Sequence, residues 1–180
     1  MKAGAVPGAV PGRVREVLQA PHPLFTAIAE PVDPTAPAVV EAAADLRATL
    51  RRIALHAGLS APQIGLGWRL IAFDTGRHPR SRSGAGELVV VNPRLAQASR
   101  WERGREGCVS VAGLTGEVAR ASRIVVHGSL PGSGEPVTIE ADAFEARCIQ
   151  HQLDHLDGVL FLDRVSRAIT LRHKHHSCGS

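Results

Sequence analysis

Two helical patterns enclose the strand patterns of this 180-residue chain, and this order most constrains its fold. The first predicted helix runs from Asp33, as the capping residue before Pro34, to about His56. The second begins after Asp142 and ends near residue 157, where a glycine follows. Four predicted strands lie between them, at residues 69–74, 87–92, 123–130 and 136–141. Strands grouped between two helices favour an α+β fold over a doubly wound βαβ fold.

The segments outside these patterns are rich in glycine and proline. Residues 131–134 (PGSG) predict the turn of a hairpin between the last two strands. Residues 58–65 contain too much glycine and proline for a regular element, and residues 75–86 predict a flexible loop. A repeated GAVP unit makes residues 1–13 a predicted disordered leader. We therefore expect one domain at residues 14–167 and a short basic, histidine-rich tail at 168–180.

Composition excludes several classes of protein. No apolar run approaches the ~18 residues of a membrane span, and prolines interrupt the N-terminus before a signal peptide could form, so we predict a cytoplasmic location.

The formal charge of +4 is dispersed, and aromatic residues make up 3% with no tyrosine, which predicts no direct nucleic-acid recognition. Three cysteines are too few for a disulfide scaffold, so each is a candidate ligand, nucleophile or core residue. No dinucleotide-binding or P-loop motif is present.

The second predicted helix carries two histidines, His151 and His155, one turn apart on the same face. Two such imidazoles can bind one metal ion, although a pair of core-edge or solvated histidines is the simpler alternative. Cys108 is a suitable third ligand for a Cys₁His₂ site with an open position, against the alternative of a buried structural thiol. Asp154 and Asp157 are candidate acceptors for the imidazole N–H groups.

Three sequence blocks carry a resemblance to a known family. They are GLSAPQIG at residues 58–65, EGCVS at 106–110 and QHQLDH at 150–155, in this order. The chain resembles the peptide deformylases over residues 14–165, and its second block is closer to the organellar type than to the common bacterial one. The resemblance implies mixed or antiparallel sheets around a central metal-binding helix. It also implies removal of the formyl group from the N-terminal formyl-methionine of nascent polypeptides.

The resemblance also assigns roles to individual residues. Cys108, His151 and His155 become the ligands of one divalent metal, with a metal-activated water as the nucleophile. Fe²⁺ is the metal that the family implies, and Zn²⁺, Ni²⁺ or Co²⁺ also suit these ligands. The remaining roles are donors to the formyl oxygen (the Gln63 side chain and the Val109 N–H), the substrate pocket (Ala57, Gly58, Gly107, Val109 and Cys148) and a supporting ion pair (Arg120 with Asp154). Cys148 lies three residues before His151 and is expected to line the pocket rather than to compete for the metal.

Gln152 departs from the family pattern, which has glutamate at this position as the general base. A glutamine has nearly the same shape and can hydrogen-bond water, but it does not accept a proton at neutral pH. We therefore expect impaired deformylase activity. Two alternatives remain open: a catalytically inactive homologue that binds formyl-peptides or a metal, and a hydrolase of a different small formamide. A general H-E-x-x-H protease is less consistent with the upstream cysteine ligand.

The C-terminal residues 173–178 (HKHHSC) contain four potential soft ligands. They suggest either a second metal site or a transient contact with the ribosome surface. A solvated, frayed terminus is the simpler interpretation of such a segment.

Overall fold

The computed structural model describes residues 11–54, 56–77, 86–165 and 172–173. Its longer helices are α1 (Pro37–Arg52) and α2 (Ala143–Leu156), followed by the one-turn helix α3 (Phe161–Arg164). The strands are β1 (Gly58–Ser60), β2 (Leu70–Phe73), β3 (Leu88–Cys108), β4 (Val111–Ser129), β5 (Pro136–Asp142) and β6 (Arg172–His173). Single turns of 3₁₀ helix occur at Pro23–Phe25, Ala61–Ile64 and Thr75–Arg77.

Strands β1 to β5 form one antiparallel sheet in chain order, and β6 pairs with β4 beyond this path. Antiparallel pairing permits short connections between successive strands, as between β3 and β4 and between β4 and β5. The predicted α+β class is confirmed, and within the described ranges every named strand pair is antiparallel.

The two long helices lie on opposite faces of the sheet. Strand β2 shows why, because successive side chains of a strand point to opposite faces. Leu70 and Ala72 pack with the apolar residues of α1, whereas Ile71 and Phe73 pack with those of α2. All four residues of β2 are buried, so the strand is covered on both sides. Helix α2 is the more central helix, with eleven of its fourteen residues buried.

The long ribbon of β3 and β4 was missed by the sequence pattern. Pairing extends from Val91 with Ser129 to Cys108 with Val111, with register shifts that mark bulges. Residues 94–103 of β3 are exposed on both faces, so they lack the alternation of a half-buried strand. The ribbon matters for the site because it places Cys108, the last residue of β3, beside α2.

Three local predictions need correction. Helix α1 starts at Pro37 and ends at Arg52, because the Asp33 carboxylate instead accepts from the N–H of Thr35 at 2.9 Å in a turn before the helix. Residues 58–65, predicted to lack a regular element, form strand β1 and a turn of 3₁₀ helix that ends at Gly65. Asp142 is the N-cap residue of α2, as predicted, but its side chain makes no capping hydrogen bond.

The two chain ends also differ from expectation where they are described. In the predicted leader, the N–H of Arg13 donates to Asp45 Oδ1 at 2.6 Å, so the ordered chain begins before residue 14. In the predicted tail, Arg172 and His173 pair with Thr115 and Leu114. Residues 1–10, residues 78–85 of the predicted loop, and residues 166–171 and 174–180 lie outside the described residues, and the predictions for them stay predictions. Among the described helices, none combines the length and the apolar character that crossing a membrane requires.

Candidate metal centre

Three potential ligands come together where the end of β3 meets the second half of α2. Sγ of Cys108 and one ring nitrogen each of His151 and His155 all lie within 4.8 Å of one another. Sγ of Cys108 is 3.3 Å from Nε2 of His155. All three residues are buried, and aromatic rings hold the imidazoles: Phe161 stacks on His151, and Phe25 contacts His155. The predicted ligands are thus adjacent in space, although Cys108 is 43 residues from His151 in the chain.

Ionisation of Cys108 favours metal binding, whereas the ring of His151 must release a proton before it can bind a metal. Burial opposes ionisation of the Cys108 thiol, but hydrogen bonds and charge from His151 and His155 lower its pKa to about 5. Burial likewise opposes protonation of His151, whose pKa is nevertheless raised to about 9 by hydrogen bonds with Cys108 and Glu106. A thiolate is the form of cysteine that binds metal ions. The donor set of one thiolate and two imidazoles therefore suits a divalent transition metal.

Glu106 orients one of the histidines. Its Oε2 lies 3.0 Å from Nδ1 of His151, which leaves Nε2 of that ring for the metal side. Burial alone would raise the pKa of this carboxyl, but Arg120 and His151 lower it to about 2, so Glu106 is a carboxylate. Arg120 donates to both of its oxygens at 2.9 Å, and Arg147 donates to Oε1 at 2.8 Å. The sequence predicts this acceptor at Asp154 or Asp157, and in the structure it is Glu106 instead.

The two aspartates serve other contacts. Asp154 pairs with Arg120 at 2.5 Å, which is the ion pair that the family resemblance implies, and with Arg164 at 2.5 Å. Asp157 pairs with Arg69 at 2.8 Å. Among the hydrogen bonds and ion pairs of the described residues, none joins either carboxylate to the ring of His151 or His155. Nδ1 of His155 is buried and has no hydrogen-bond partner in the described part of the chain.

Gln63 is held so that its amide NH₂ faces the cluster. Its Oε1 accepts from the N–H of Ser60 at 2.9 Å and from Oγ of Ser60 at 3.1 Å. Its Nε2 donates to Oγ of Ser110 at 3.1 Å and lies 3.5 Å from Sγ of Cys108. A buried amide fixed at its oxygen end presents hydrogen-bond donors in one direction. This orientation agrees with the donor role that the resemblance implies.

A cavity of about 290 Å³ opens beside the cluster. Its lining includes the predicted pocket residues, which are Ala57, Gly58, Gly107, Val109 and Cys148, together with Cys108, His151 and Gln63. His56, at the predicted end of the first helix, also lines it. Burial raises the pKa of the Cys148 thiol, and this thiol lies outside the ligand cluster.

Gln152 lines the same cavity. Its side-chain Oε1 is buried and makes no hydrogen bond within the described ranges. Gly58 makes room for this side chain, because a Cβ at residue 58 would lie 3.0 Å from Nε2 of Gln152 and 2.8 Å from Sγ of Cys148. The amide oxygen is therefore an acceptor that no described group satisfies.

Gln150 anchors the helix on which these residues lie. Its Oε1 accepts from the N–H of Ala121 at 3.1 Å, and its Nε2 donates to the carbonyl of Ala121 at 2.7 Å. Strand β5 pairs with β4 only from Arg123 onward. On that side of β4, the backbone of Ala121 therefore bonds to the side-chain amide of Gln150 and not to a neighbouring strand. These bonds fix the register between α2 and the ribbon, and with it the distance between the histidines and Cys108.

Comparison with known proteins connects this arrangement to a family. The family model of polypeptide deformylase matches residues 14–170. This chain belongs to the peptide deformylase family. The peptide deformylase of Carboxydothermus hydrogenoformans is 33% identical over 156 residues, which cover 87% of this chain and 96% of the relative. Peptide deformylase 2 of Streptomyces avermitilis is 38% identical over 167 residues, which cover 92% of this chain and 87% of the relative.

Solved structures give the same result. A crystal structure of a class I type b peptide deformylase from Acinetobacter baumannii, bound to Met-Ala-Ser, matches with a TM-score of 0.76 and 31% identity. The match covers 84% of this chain and 99% of that chain. Peptide deformylases are metal-dependent amide hydrolases that remove the formyl group from nascent peptides, so the predicted family, fold and reaction class are confirmed.

Two residues of this deformylase site were missed by the sequence analysis. Glu106 was quoted only as part of a motif, and Arg147 was not considered. Arg147 had a usable signal, because it is four residues from His151 on a predicted helix, whereas Glu106, two residues from Cys108, lies on a strand that the sequence pattern does not predict. Each spacing places the pair on one face of its element.

Proposed function

We propose that this deformylase binds one divalent metal ion, Fe²⁺ by family resemblance, through Cys108, His151 and His155. We propose further that it removes the formyl group from N-formylmethionyl peptides at a rate limited by Gln152. The observation that carries the proposal is the convergence of three ligand atoms within 4.8 Å, beside a cavity that Cys108 and His151 line. The Acinetobacter baumannii relative binds Met-Ala-Ser, a peptide of the kind that deformylation produces.

A divalent metal held by these ligands would supply a Lewis acid that activates water and polarises the formyl group. The protein supplies the rest. Gln63 presents its amide hydrogens toward the cluster, where they can stabilise negative charge on the formyl oxygen together with the N–H of Val109. Each such donor typically contributes about 2.7–4 kcal/mol when tested by deletion. Glu106 and the flanking aromatic rings hold the imidazoles in place.

Gln152 accounts for the expected low rate. Its Oε1 can accept a hydrogen bond from water and so can help to orient it, but the amide does not take up the proton. Asp154, the next carboxyl along α2, is engaged by Arg120 and Arg164. General acid–base catalysis is typically worth about 10²–10⁴-fold, and this is the factor that we expect the chain to lack.

The same feature favours a second candidate function. Without a proton acceptor at residue 152, the site can bind formylated peptides and release them unchanged. In this case the chain would be a binding homologue of the deformylases. Both functions require the metal ligands and the cavity, so they differ only in turnover.

A formate-release assay on protein of known metal content separates the two functions. The protein is prepared without oxygen, its metal is quantified, and N-formyl-Met-Ala-Ser is added in large excess. We expect more than one formate released per metal ion, slowly, and no release from chelator-treated protein. Peptide binding with a full complement of metal but without formate would support the binding homologue instead. Absence of both binding and metal would contradict the proposal as a whole.

We also propose that the chain acts in the cytoplasm. Cys108 and Cys148 are both free thiols in the structure, and the proposed ligand Cys108 must stay reduced to bind metal. A reducing compartment preserves such thiols. Fractionation of cells that express the tagged chain tests this proposal, and recovery outside the cytoplasmic fraction would contradict it.

A further inference from the structure

The cavity wall carries a histidine that is outside the proposed set of metal ligands. His56 lies between the end of α1 and the start of β1, and it lines the cavity together with Cys108, His151 and Gln152. We propose that His56 takes up the water proton that the Gln152 amide does not accept, and that the slow turnover of this chain depends on it. This inference rests on the proposed function, because it concerns the same reaction in the same cavity.

The backbone turns His56 toward the site. The N–H of Asp74 donates to the carbonyl of Ala57 at 2.9 Å, so the extended chain of β1 continues back to residue 57. In extended chain, side chains two residues apart point to the same face. A Cβ at Gly58 would lie 3.0 Å from Nε2 of Gln152, so this face is the one beside the Gln152 amide. Two residues advance a strand by about 6.6 Å, a distance that an imidazole and one water molecule can bridge.

A backbone hydrogen bond sets the tautomer of the His56 ring. Its Nδ1 lies 2.8 Å from the carbonyl oxygen of Ala54, which also lines the cavity. A carbonyl oxygen only accepts hydrogen bonds, so Nδ1 carries the proton of the neutral ring. The lone pair is then at Nε2. A neutral imidazole with a lone pair at Nε2 is the acceptor that general base catalysis by histidine uses.

The other titratable groups of the cavity wall are unsuited to this role. Among the described residues that line the cavity, they are Arg105, Glu106, Cys108, Arg147, Cys148 and His151. Arginines have no acceptor, and both oxygens of Glu106 are engaged by two arginines and by His151. Burial raises the pKa of the Cys148 thiol, which therefore keeps its proton. Cys108 and His151 are proposed metal ligands, which leaves His56 as the proton acceptor among the described groups of this wall.

The proton then has a complete path. As the water oxygen forms a bond to the formyl carbon, one proton of that water moves to Nε2 of His56. The bond between the formyl carbon and the amide nitrogen then breaks, and the imidazolium returns the proton to this nitrogen. The products are formic acid, which ionises in water, and a peptide with a free amino group. The imidazole ends neutral, as it began, so the cycle needs no further reagent.

The first experiment measures turnover at matched metal content. His56→Gln removes the proton acceptor and keeps a polar side chain, and His127→Gln makes the same change at an exposed position of β4. We expect His56→Gln to lower kcat for formate release from N-formyl-Met-Ala-Ser about tenfold or more with little change in KM, and His127→Gln to behave as the unmodified protein. Free imidazole should restore part of the rate of His56→Ala.

Residue 152 supplies a second test. In the Gln152→Glu protein the new carboxylate takes the proton, so the path through His56 matters less. The loss of kcat caused by His56→Gln should therefore be much smaller in this background than in the unmodified chain. Such non-additivity is expected of two groups that serve the same step.

A magnetic resonance titration gives a readout that does not depend on activity. The protein is labelled with ¹⁵N-histidine and loaded with Zn²⁺, and Met-Ala-Ser is added. We expect the Nε2 signal of His56 to shift, because the ring faces the cavity that the peptide enters, and the signals of His127 to stay unchanged.

The outcomes separate proton transfer from a structural role. Formate release from His56→Gln at the unmodified rate overturns the inference and leaves the proposed function intact. An equal loss of kcat in both backgrounds, without restoration by imidazole, means that His56 only holds the cavity wall, and the inference also fails. If His56→Gln does not fold, the titration of the unmodified protein decides, and an unmoved Nε2 signal overturns the inference. Absence of formate from the unmodified, metal-loaded protein contradicts both the proposed turnover and the role of His56.

Discussion

Restoring a carboxylate at residue 152 is the most direct test of the proposed chemistry. Gln152→Glu exchanges an amide for a carboxylate of nearly the same volume at a side chain whose Oε1 has no partner in the described part of the chain. The change therefore breaks no hydrogen bond of that oxygen and creates no clash with Gly58. Burial raises the pKa of a carboxyl toward neutrality, which is the range in which a general base is most effective.

The expected gain follows from the missing proton transfer. A general base typically contributes about 10²–10⁴-fold, so we expect kcat on N-formyl-Met-Ala-Ser to rise by about 10²-fold or more. A 10²-fold gain corresponds to about 2.7 kcal/mol of transition-state stabilisation. KM should change little, because a base acts in the transition state and hardly on ground-state binding.

The assay is formate release at matched metal content, with metal quantified in each sample. Gln97→Glu makes the same chemical change at an exposed position of β3 and should leave kcat unchanged. If Gln152→Glu holds a full complement of metal and binds the peptide but shows no gain, the deformylase mechanism is wrong for this chain. A binding homologue or a hydrolase of another formamide would then remain.

The other predictions concern the metal and its support. The purified protein should hold close to one divalent metal per chain, and Cys108→Ala should lose it, because two imidazoles alone bind weakly; full occupancy of that variant would contradict the ligand assignment. Truncation after Arg167 should leave the metal content unchanged, and a halved content would implicate the tail. Glu106→Gln should weaken metal binding about 10–100-fold and lower the free energy of unfolding by about 3–5 kcal/mol, since Arg120 and Arg147 lose a charged partner. Metal titration and denaturant unfolding measure these effects, and no change in either would refute the role of Glu106.

The parts of the site that sequence predicts best are those with a strong local pattern. His151 and His155 lie on a periodic helix whose limits, Asp142 as cap and Leu156 as last residue, match the prediction closely. Four-residue spacing on such a helix fixes their common face before any tertiary contact is known. The adjacency of Cys108 had no such local basis, and its prediction as a ligand rested on its residue type and on the family blocks.

The parts that sequence misses depend on the β3–β4 ribbon. Residues 94–103 are exposed on both faces, so no alternation of apolar and polar residues signals a strand. Without that strand, Glu106 and Cys108 are merely two residues apart in a loop. Within the strand they share a face, which is why the acceptor for His151 comes from β3 and not from the aspartates of α2.

The contacts around α2 explain how the chemistry of this site can change while its architecture stays the same. The histidines are held by Glu106 and by aromatic rings, and the helix register is held by the amide of Gln150. None of these contacts involves Gln152, whose oxygen has no partner in the described ranges. A glutamine in place of glutamate at residue 152 therefore costs the fold nothing at that oxygen and leaves the ligand cluster intact. The ligand cluster and residue 152 can therefore change independently, because the contacts that hold the cluster do not include the Gln152 oxygen.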